Sequence, residues 1–143
     1  MTILVIDASV ALKWFIEEAG TREAAALLDS PDSLIAPDLI VAECLNATWK
    51  AVRAGAMTAQ QQDRAMALLP SLLDDLAPLA PLAPRAAVIA RTLDHPAHDG
   101  LYLALAEQRA GTLVTADRRL LARIQGTPWG GLARNLYTAT PAA

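Results

Sequence analysis

Four acids stand where surface charge is a poor explanation. Asp7 ends the apolar run Thr2-Ile3-Leu4-Val5-Ile6, and Asp117 follows a second one, Thr112-Leu113-Val114-Thr115. Such runs read as buried strands of a parallel sheet, and open parallel α/β sheets bind ligands at the carboxyl ends of their strands. Asp99 opens a helical segment, where the helix dipole and free N–H groups favour a carboxylate. Glu43 lies inside the apolar stretch Leu39-Ile40-Val41-Ala42-Glu43-Cys44-Leu45; on the core-facing side of a helix it is costly unless paired or metal-bound. Plainer roles compete for three of the four. Asp99 and Asp117 suit helix N-caps, and Glu43 suits a polar face shared with Asn46 and Lys50. Asp7 has the weakest such alternative.

If the four carboxylates converge, they repel one another. A divalent metal removes that conflict, and an all-oxygen donor set suits Mg²⁺ or Mn²⁺ rather than zinc. A centre of this kind binds phosphate oxygens, generates a nucleophilic water and stabilises a leaving oxygen. Ser9 lies two residues after Asp7, and Thr115 two before Asp117. Their hydroxyls either orient waters at such a centre or cap helices, the commoner role.

The elements that must position these residues follow from periodicity and punctuation. A helix is expected over Ala8–Phe15 and another over Thr21–Leu28. A short strand, Leu34–Ala36, is expected to stop at Pro37. The helix Asp38–Ala54 places Val41, Leu45, Trp49 and Val52 on one face, with Gly55 closing it. A further helix, Thr58–Leu73, has Thr58 as N-cap and Pro70 kinking or ending it. The tract Leu76-Ala77-Pro78-Leu79-Ala80-Pro81-Leu82-Ala83-Pro84 is a three-residue repeat. Inside a compact chain it reads as a connector with a short edge strand rather than polyproline II. Pro84 starts a helix running to Leu93, His95–His98 is a turn, and Asp99–Ala110 is a helix ended by Gly111. Asp117–Ile124 is helical, and Leu132–Tyr137 is the last strand candidate. Alternating strands and helices predict an α/β fold around a small central parallel sheet flanked by helices.

The composition fits one domain over residues 1–143. Hydrophobic residues make up 54% and charged residues 19%, which excludes intrinsic disorder. Twelve Lys and Arg against fifteen Asp and Glu give a net charge of −3, which excludes a uniformly basic nucleic-acid coat but not a local patch. Five arginines face one acid, Asp117, over residues 109–143. They form either a solvated helix face or a phosphate-contacting rim, with Arg118 and Arg119 nearest the acids. The single Cys44 forms no internal disulfide, and neither a signal peptide nor a membrane span is legible, so a cytoplasmic protein is expected. Two His and one Cys are too few for a typical structural zinc site. His95 and His98 are therefore read as turn residues, with His98 a secondary candidate for phosphate contact. Trp14, Phe15 and Trp49 favour packing over base stacking.

Taken in order, these blocks resemble a known family. The strand with Asp7-Ala8-Ser9, then Pro37 with Glu43 and Asn46, then Asp99-Gly100 with Tyr102-Leu103-Ala104-Leu105-Ala106, then Leu113-Val114-Thr115-Ala116-Asp117-Arg118-Arg119-Leu120 look like a PIN-domain ribonuclease. Within that superfamily the chain most resembles VapC-type toxins of bacterial toxin–antitoxin pairs. The resemblance covers nearly the whole chain and implies a PIN-like fold. It also implies an acidic quartet of Asp7, Glu43, Asp99 and Asp117 holding Mg²⁺ or Mn²⁺, with Thr115 as the accompanying hydroxyl. The implied activity is metal-dependent endoribonucleolytic cleavage. The implied partners are an RNA substrate, a small antitoxin whose C-terminal segment covers the acidic pocket, and a second copy of the chain in a homodimer. Gly100 departs from the family pattern, which more often has Ala there. The competing reading is a catalytically silent PIN-like RNA-binding or scaffold domain. An aspartyl-phosphate phosphatase is disfavoured, because Ser9 stands where that chemistry needs a second acid.

Overall fold

The chain threads β1 (Ile3–Ile6), α1 (Ala8–Ala11), α2 (Thr21–Leu28), β2 (Ser33–Pro37), α3 (Leu39–Arg53), α4 (Ala59–Leu72), β3 (Asp75–Ala77), α5 (Ala83–Leu93), α6 (Ala97–Arg109), β4 (Thr112–Thr115), α7 (Arg118–Ile124) and β5 (Ala133–Asn135), with short 3₁₀ turns between some of them. This computed structural model describes residues 2–138. All strand pairs are parallel and the sheet order is β3-β2-β1-β4-β5. The chain builds leftward from β1 to β3, then crosses to β4 on the other side. The boundary between β1 and β4 is thus the topological switch point, where a crevice opens beyond the strand ends. Asp7 and Asp117 follow those two strands.

The α/β class and the central position of the first strand agree with the expectation from sequence. Leu4, Val5 and Ile6 in β1 and Leu113, Val114 and Thr115 in β4 are all buried, as two-sided burial in a parallel sheet requires. The Leu-Ala-Pro tract does contribute an edge strand, β3, before Pro84 enters the first turn of α5. Thr58 caps α4 through a full capping box with Gln61. Pro70 falls in the last turn of α4, where its missing N–H costs one hydrogen bond only.

Two expectations are corrected and one boundary is refined. β2 ends at Pro37 as expected, with Pro37 itself as its final residue. Asp38 N–H reaches Ala77 O on the β3 side, so Pro37 faces the β1 side, beyond the last paired residue there, and needs no donor. The helix carrying Asp99 starts at Ala97 with Pro96 as N-cap, so Asp99 lies within the first turn rather than at its opening. Finally, the buried stripe of α3 is Ile40, Cys44 and Thr48. The stripe expected from Val41, Leu45, Trp49 and Val52 is displaced, leaving Leu45 51% and Trp49 48% exposed. One member of the true stripe is polar, so the apolar pattern does not mark it. Thr48 satisfies its hydroxyl by donating to Cys44 O at 2.8 Å.

Helix α6 is the central helix. It packs on β1, β2 and β4, and every residue from Gly100 to Ala106 is buried, as befits a helix apolar all round. Its tightest neighbour is α5. A Cβ added at Gly100 would lie 2.8 Å from the backbone oxygen of Ala86. The departure at Gly100 is therefore a packing requirement. Gly100→Ala is expected to lower stability by about 1–3 kcal/mol through overpacking, despite the better helix propensity of Ala. The check is the urea midpoint of the variant; an unshifted midpoint would mean that α5 can retreat freely.

Candidate functional site

Asp7 is the most constrained of the acids. It is 7% exposed, and its Oδ2 accepts two hydroxyl hydrogen bonds, from Ser9 at 2.8 Å and Thr115 at 2.6 Å. The same hydroxyls face the backbone beyond β4. Ser9 Oγ accepts from Ala116 N–H, and Thr115 Oγ1 accepts from Asp117 N–H. Two short side chains thereby join the ends of β1 and β4 around one carboxylate. Of the two roles open to Ser9 and Thr115 from sequence, neither is a cap of its own helix; both orient Asp7.

Glu43 projects from α3, half-buried, and accepts a 2.6 Å hydrogen bond from the Tyr102 hydroxyl of α6. The polar-face alternative for Glu43 is thus set aside. Asp99, in the first turn of α6, pairs through Oδ2 with His95 Nε2 at 2.5 Å. Asp117 is the N-cap of α7, its Oδ1 accepting from the N–H groups of Arg119 and Leu120. Capping and membership of an acidic site therefore coexist there.

The electrostatics tie three of the acids together. Burial pushes the Asp7 carboxyl up from its ordinary 3.8 to about 6; the Thr115 and Ser9 hydrogen bonds pull it down, and the charges of Asp99 and Glu43 push it up further. Burial raises Glu43 as well, against the Tyr102 hydrogen bond and the nearby His98, while Asp99 again raises it. Asp117 joins from the other side. A cleft of about 420 Å³ is lined by Asp94, His95, Asp99, Asp117, Arg119 and Arg123 among others. Asp99 is the member common to the buried pair and the cleft.

Each of the four carboxylates engages one oxygen with the protein. The second, Asp7 Oδ1, Glu43 Oε2, Asp99 Oδ1 or Asp117 Oδ2, has no hydrogen bond among the described residues. Arg134 Nε is the only buried side-chain polar atom without a partner among them, so these second oxygens reach solvent. Four free carboxylate oxygens of like charge make a donor set that fits a hard divalent cation. The fit is of chemistry rather than of a finished cage, since among the described residues no three His, Cys, Asp or Glu side chains are already grouped closely enough to hold an ion.

The supporting residues divide. Asn46 lies on the exposed side of α3, in a groove with Ala42, Leu45, Trp49 and Gln62, and is not among the hydrogen-bond partners of the acids. Arg119 lines the acidic cleft, whereas Arg118 is exposed and outside its lining. Arg109 pairs with Asp75 at 2.7 Å, away from the cleft. Arg123 contributes instead. The aromatics separate too. Trp14 and Phe15 line one groove with Leu28, Leu68 and Leu72, while Trp49 stands in the other, its ring under Arg53 at 5.0 Å. Sequence reasoning assigned Tyr102 no role. The available signal was a buried phenol on a Leu/Ala helix one turn after Asp99, which requires a polar partner. Cys44 is buried, and burial raises its thiol to about 12, which makes it inert.

Comparison with known proteins agrees with this fold. The family model described as "PIN domain" matches residues 4–126. A curated relative, Ribonuclease VapC3 of Pyrobaculum aerophilum, is 30% identical over 122 residues, 82% of this chain and 91% of the relative. Among solved structures, VapBC2 from Rickettsia felis bound to a promoter DNA fragment superposes with a TM-score of 0.68 at 15% identity, covering 94% of this chain and 98% of that one. VapBC-1 from nontypeable Haemophilus influenzae gives 0.64 at 18% identity, covering 95% and 99%.

The position of Asp7 has a pH signature. Below about pH 3.8 its carboxyl is neutral in folded and unfolded chains alike, so burial carries no charge penalty. As pH rises, the unfolded chain ionises first and the folded chain only near 6. Metal-free stability should therefore fall across that window, by about 3 kcal/mol from this group. Asp7→Asn should be more stable than the parent at pH 7 in chelator, with the advantage vanishing near pH 4. Denaturant unfolding at both pH values measures it, and equal pH dependence of the two proteins would refute it.

Proposed function

This chain belongs to the PIN-domain family, and on that premise we propose that residues 1–143 form a Mg²⁺- or Mn²⁺-dependent endoribonuclease acting as the toxin of a toxin–antitoxin pair. The observation that carries the reading is the buried Asp7 carboxylate at the switch point, electrostatically joined to Asp99 and Glu43. The relative named as a ribonuclease and the VapBC neighbours support it.

In this reading Asp7, Glu43, Asp99 and Asp117 hold the ion through their free oxygens. A bound divalent cation would supply Lewis-acid charge on the scissile phosphate and a nucleophilic water at neutral pH. The protein's own part is positioning. Ser9 and Thr115 fix the Asp7 carboxylate, and Tyr102 fixes Glu43. Arg119 offers a cation to the phosphate backbone beside the acids, while Arg118 and Asn46 lie farther out. The Trp14–Phe15 groove suits an apolar helix of an antitoxin, whose following segment would bring a basic side chain to the acids. Homodimerisation would cover part of the exposed apolar surface. Among the described residues no helix is long and apolar enough to cross a membrane.

The deciding experiment is cleavage of total RNA. The wild-type protein should cut with Mg²⁺ or Mn²⁺ and stop in chelator, while Asp7→Asn and Asp99→Asn should lose at least about a hundredfold in rate. Either ion should raise the wild-type melting temperature by mass action but not that of these variants. A folded, metal-loaded wild-type protein that cuts no RNA would leave the silent scaffold as the function.

Two further outcomes are expected. Arg119→Ala should weaken RNA binding uniformly and reduce the salt slope by about one, measured by fluorescence anisotropy over a salt series. Expression alone should arrest growth, Asp7→Asn should not, and the product of an adjacent small open reading frame should co-purify with the wild-type chain.

A further inference from the structure

The corner between α5 and α6 turns a histidine onto one of the acids. Helix α5 ends at Asp94 in the left-handed region, with φ of +50°, a conformation uncommon outside glycine. His95 N–H then closes back onto Ala90 O at 3.1 Å. Pro96 follows as the N-cap of α6. This sharp reversal lays the His95 ring along the first turn of α6, against Asp99. The two side chains are only 16% and 21% exposed. The corner is held from a third element as well, because Arg123 of α7 donates from Nε to Leu93 O.

We propose that His95 is a positioning residue for Asp99: its Nε2 fixes Oδ2 of the carboxylate and leaves Oδ1 as the oxygen presented to a divalent cation. The proposal rests on the reading of Asp99 as a metal-holding acid. Metal-binding side chains are commonly oriented by an outer hydrogen bond, whose loss costs about 10- to 100-fold in affinity or activity. Of the four acids, Asp7 is held by Ser9 and Thr115, Glu43 by Tyr102, and Asp117 by the N-terminal N–H groups of its own helix. Asp99 sits in the first turn of α6 without a side-chain cap bond there. His95 supplies the corresponding restraint. The imidazole has two side-chain torsions and a backbone anchored on both sides, so little freedom remains to the pair.

Mn²⁺ binding measured by calorimetry tests the proposal in the intact protein, alongside RNA cleavage and thermal melts. His95→Ala should weaken Mn²⁺ affinity about tenfold or more, with cleavage at low Mn²⁺ falling in parallel. His95→Gln places an amide N–H near the Nε2 position and should recover most of both. Unchanged Mn²⁺ affinity in His95→Ala, in a background where Asp99→Asn loses binding, would overturn the positioning role and leave the nuclease reading standing. Gln restoring the melt but not the affinity would reduce His95 to a structural tie and overturn it equally. If the wild-type protein itself shows no Asp99-dependent Mn²⁺ binding, the underlying reading fails and the proposal with it.

Discussion

A carboxylate buried at the seam of a parallel sheet is the constraint on which the rest depends. Asp7 follows a strand buried on both faces, at the boundary where the sheet changes its direction of growth. Even with its hydrogen bonds counted, keeping that carboxylate ionised costs about 3 kcal/mol at neutral pH, a large part of what a domain of this size has to spare. The fold limits the cost with two hydroxyls rather than a cation. Ser9 and Thr115 accept backbone N–H groups from the segment after β4 and donate to Asp7. The same four hydrogen bonds close the seam and orient the carboxylate. Neither hydroxyl brings positive charge, so the acidic potential beyond the strand ends remains.

Helix α6 carries the second half of the arrangement, and its burial explains its sequence. A helix enclosed from Gly100 to Ala106 can present polar groups at its two exposed ends, and within the enclosed stretch only through a buried group with a partner. Asp99 stands at the N-terminal end and Tyr102 within the stretch, its hydroxyl meeting Glu43 across from α3. Gly100 between them lets α5 approach within contact of the backbone. The polar residues of the site are thus fixed by the same packing that makes this helix the core. A mutation that loosens α5 against α6 should be felt at the acids as well as in stability.

Much of this was legible in the sequence because strand ends are legible. Continuous apolar runs followed by Asp are rare enough to mark both β1 and β4, and the Gly and Pro punctuation placed most helices within two residues. The features that are not legible have separate causes. The phase of α3 was misread because its buried stripe includes Thr48, whose hydroxyl bonds its own helix, while Leu45 and Trp49 look like core residues and stand in solvent. The expected start of α6 falls two residues late because His95–His98 reads as a turn, whereas Pro96 serves as the N-cap, a position that needs no N–H of its own. The partnerships of His95 with Asp99 and of Tyr102 with Glu43 are not legible, because a hydrogen bond between side chains on different elements leaves no periodic trace. Local chemistry writes itself into spacing; partners brought together by packing do not.

The charge balance of the cleft follows from these placements. Fifteen acids and twelve basic residues give the chain a modest negative charge, yet the acids of the site remain without a salt-bridged Lys or Arg. The nearby arginines are committed differently. Arg109 pairs with Asp75, Arg123 supports the α5–α6 corner through a backbone oxygen, and Arg119 lines the cleft without bonding the carboxylates. Had any guanidinium closed on Asp99 or Asp7, the free oxygens would be occupied and the repulsion among the acids relieved within the chain. Hydroxyl, phenol, imidazole and backbone N–H partners instead each take one oxygen and leave the other exposed. Burial is the main reason the Asp7 carboxylate lowers the stability of the chain at neutral pH, and the charges of Asp99 and Glu43 add to it; in the proposed reading a divalent cation would offset both.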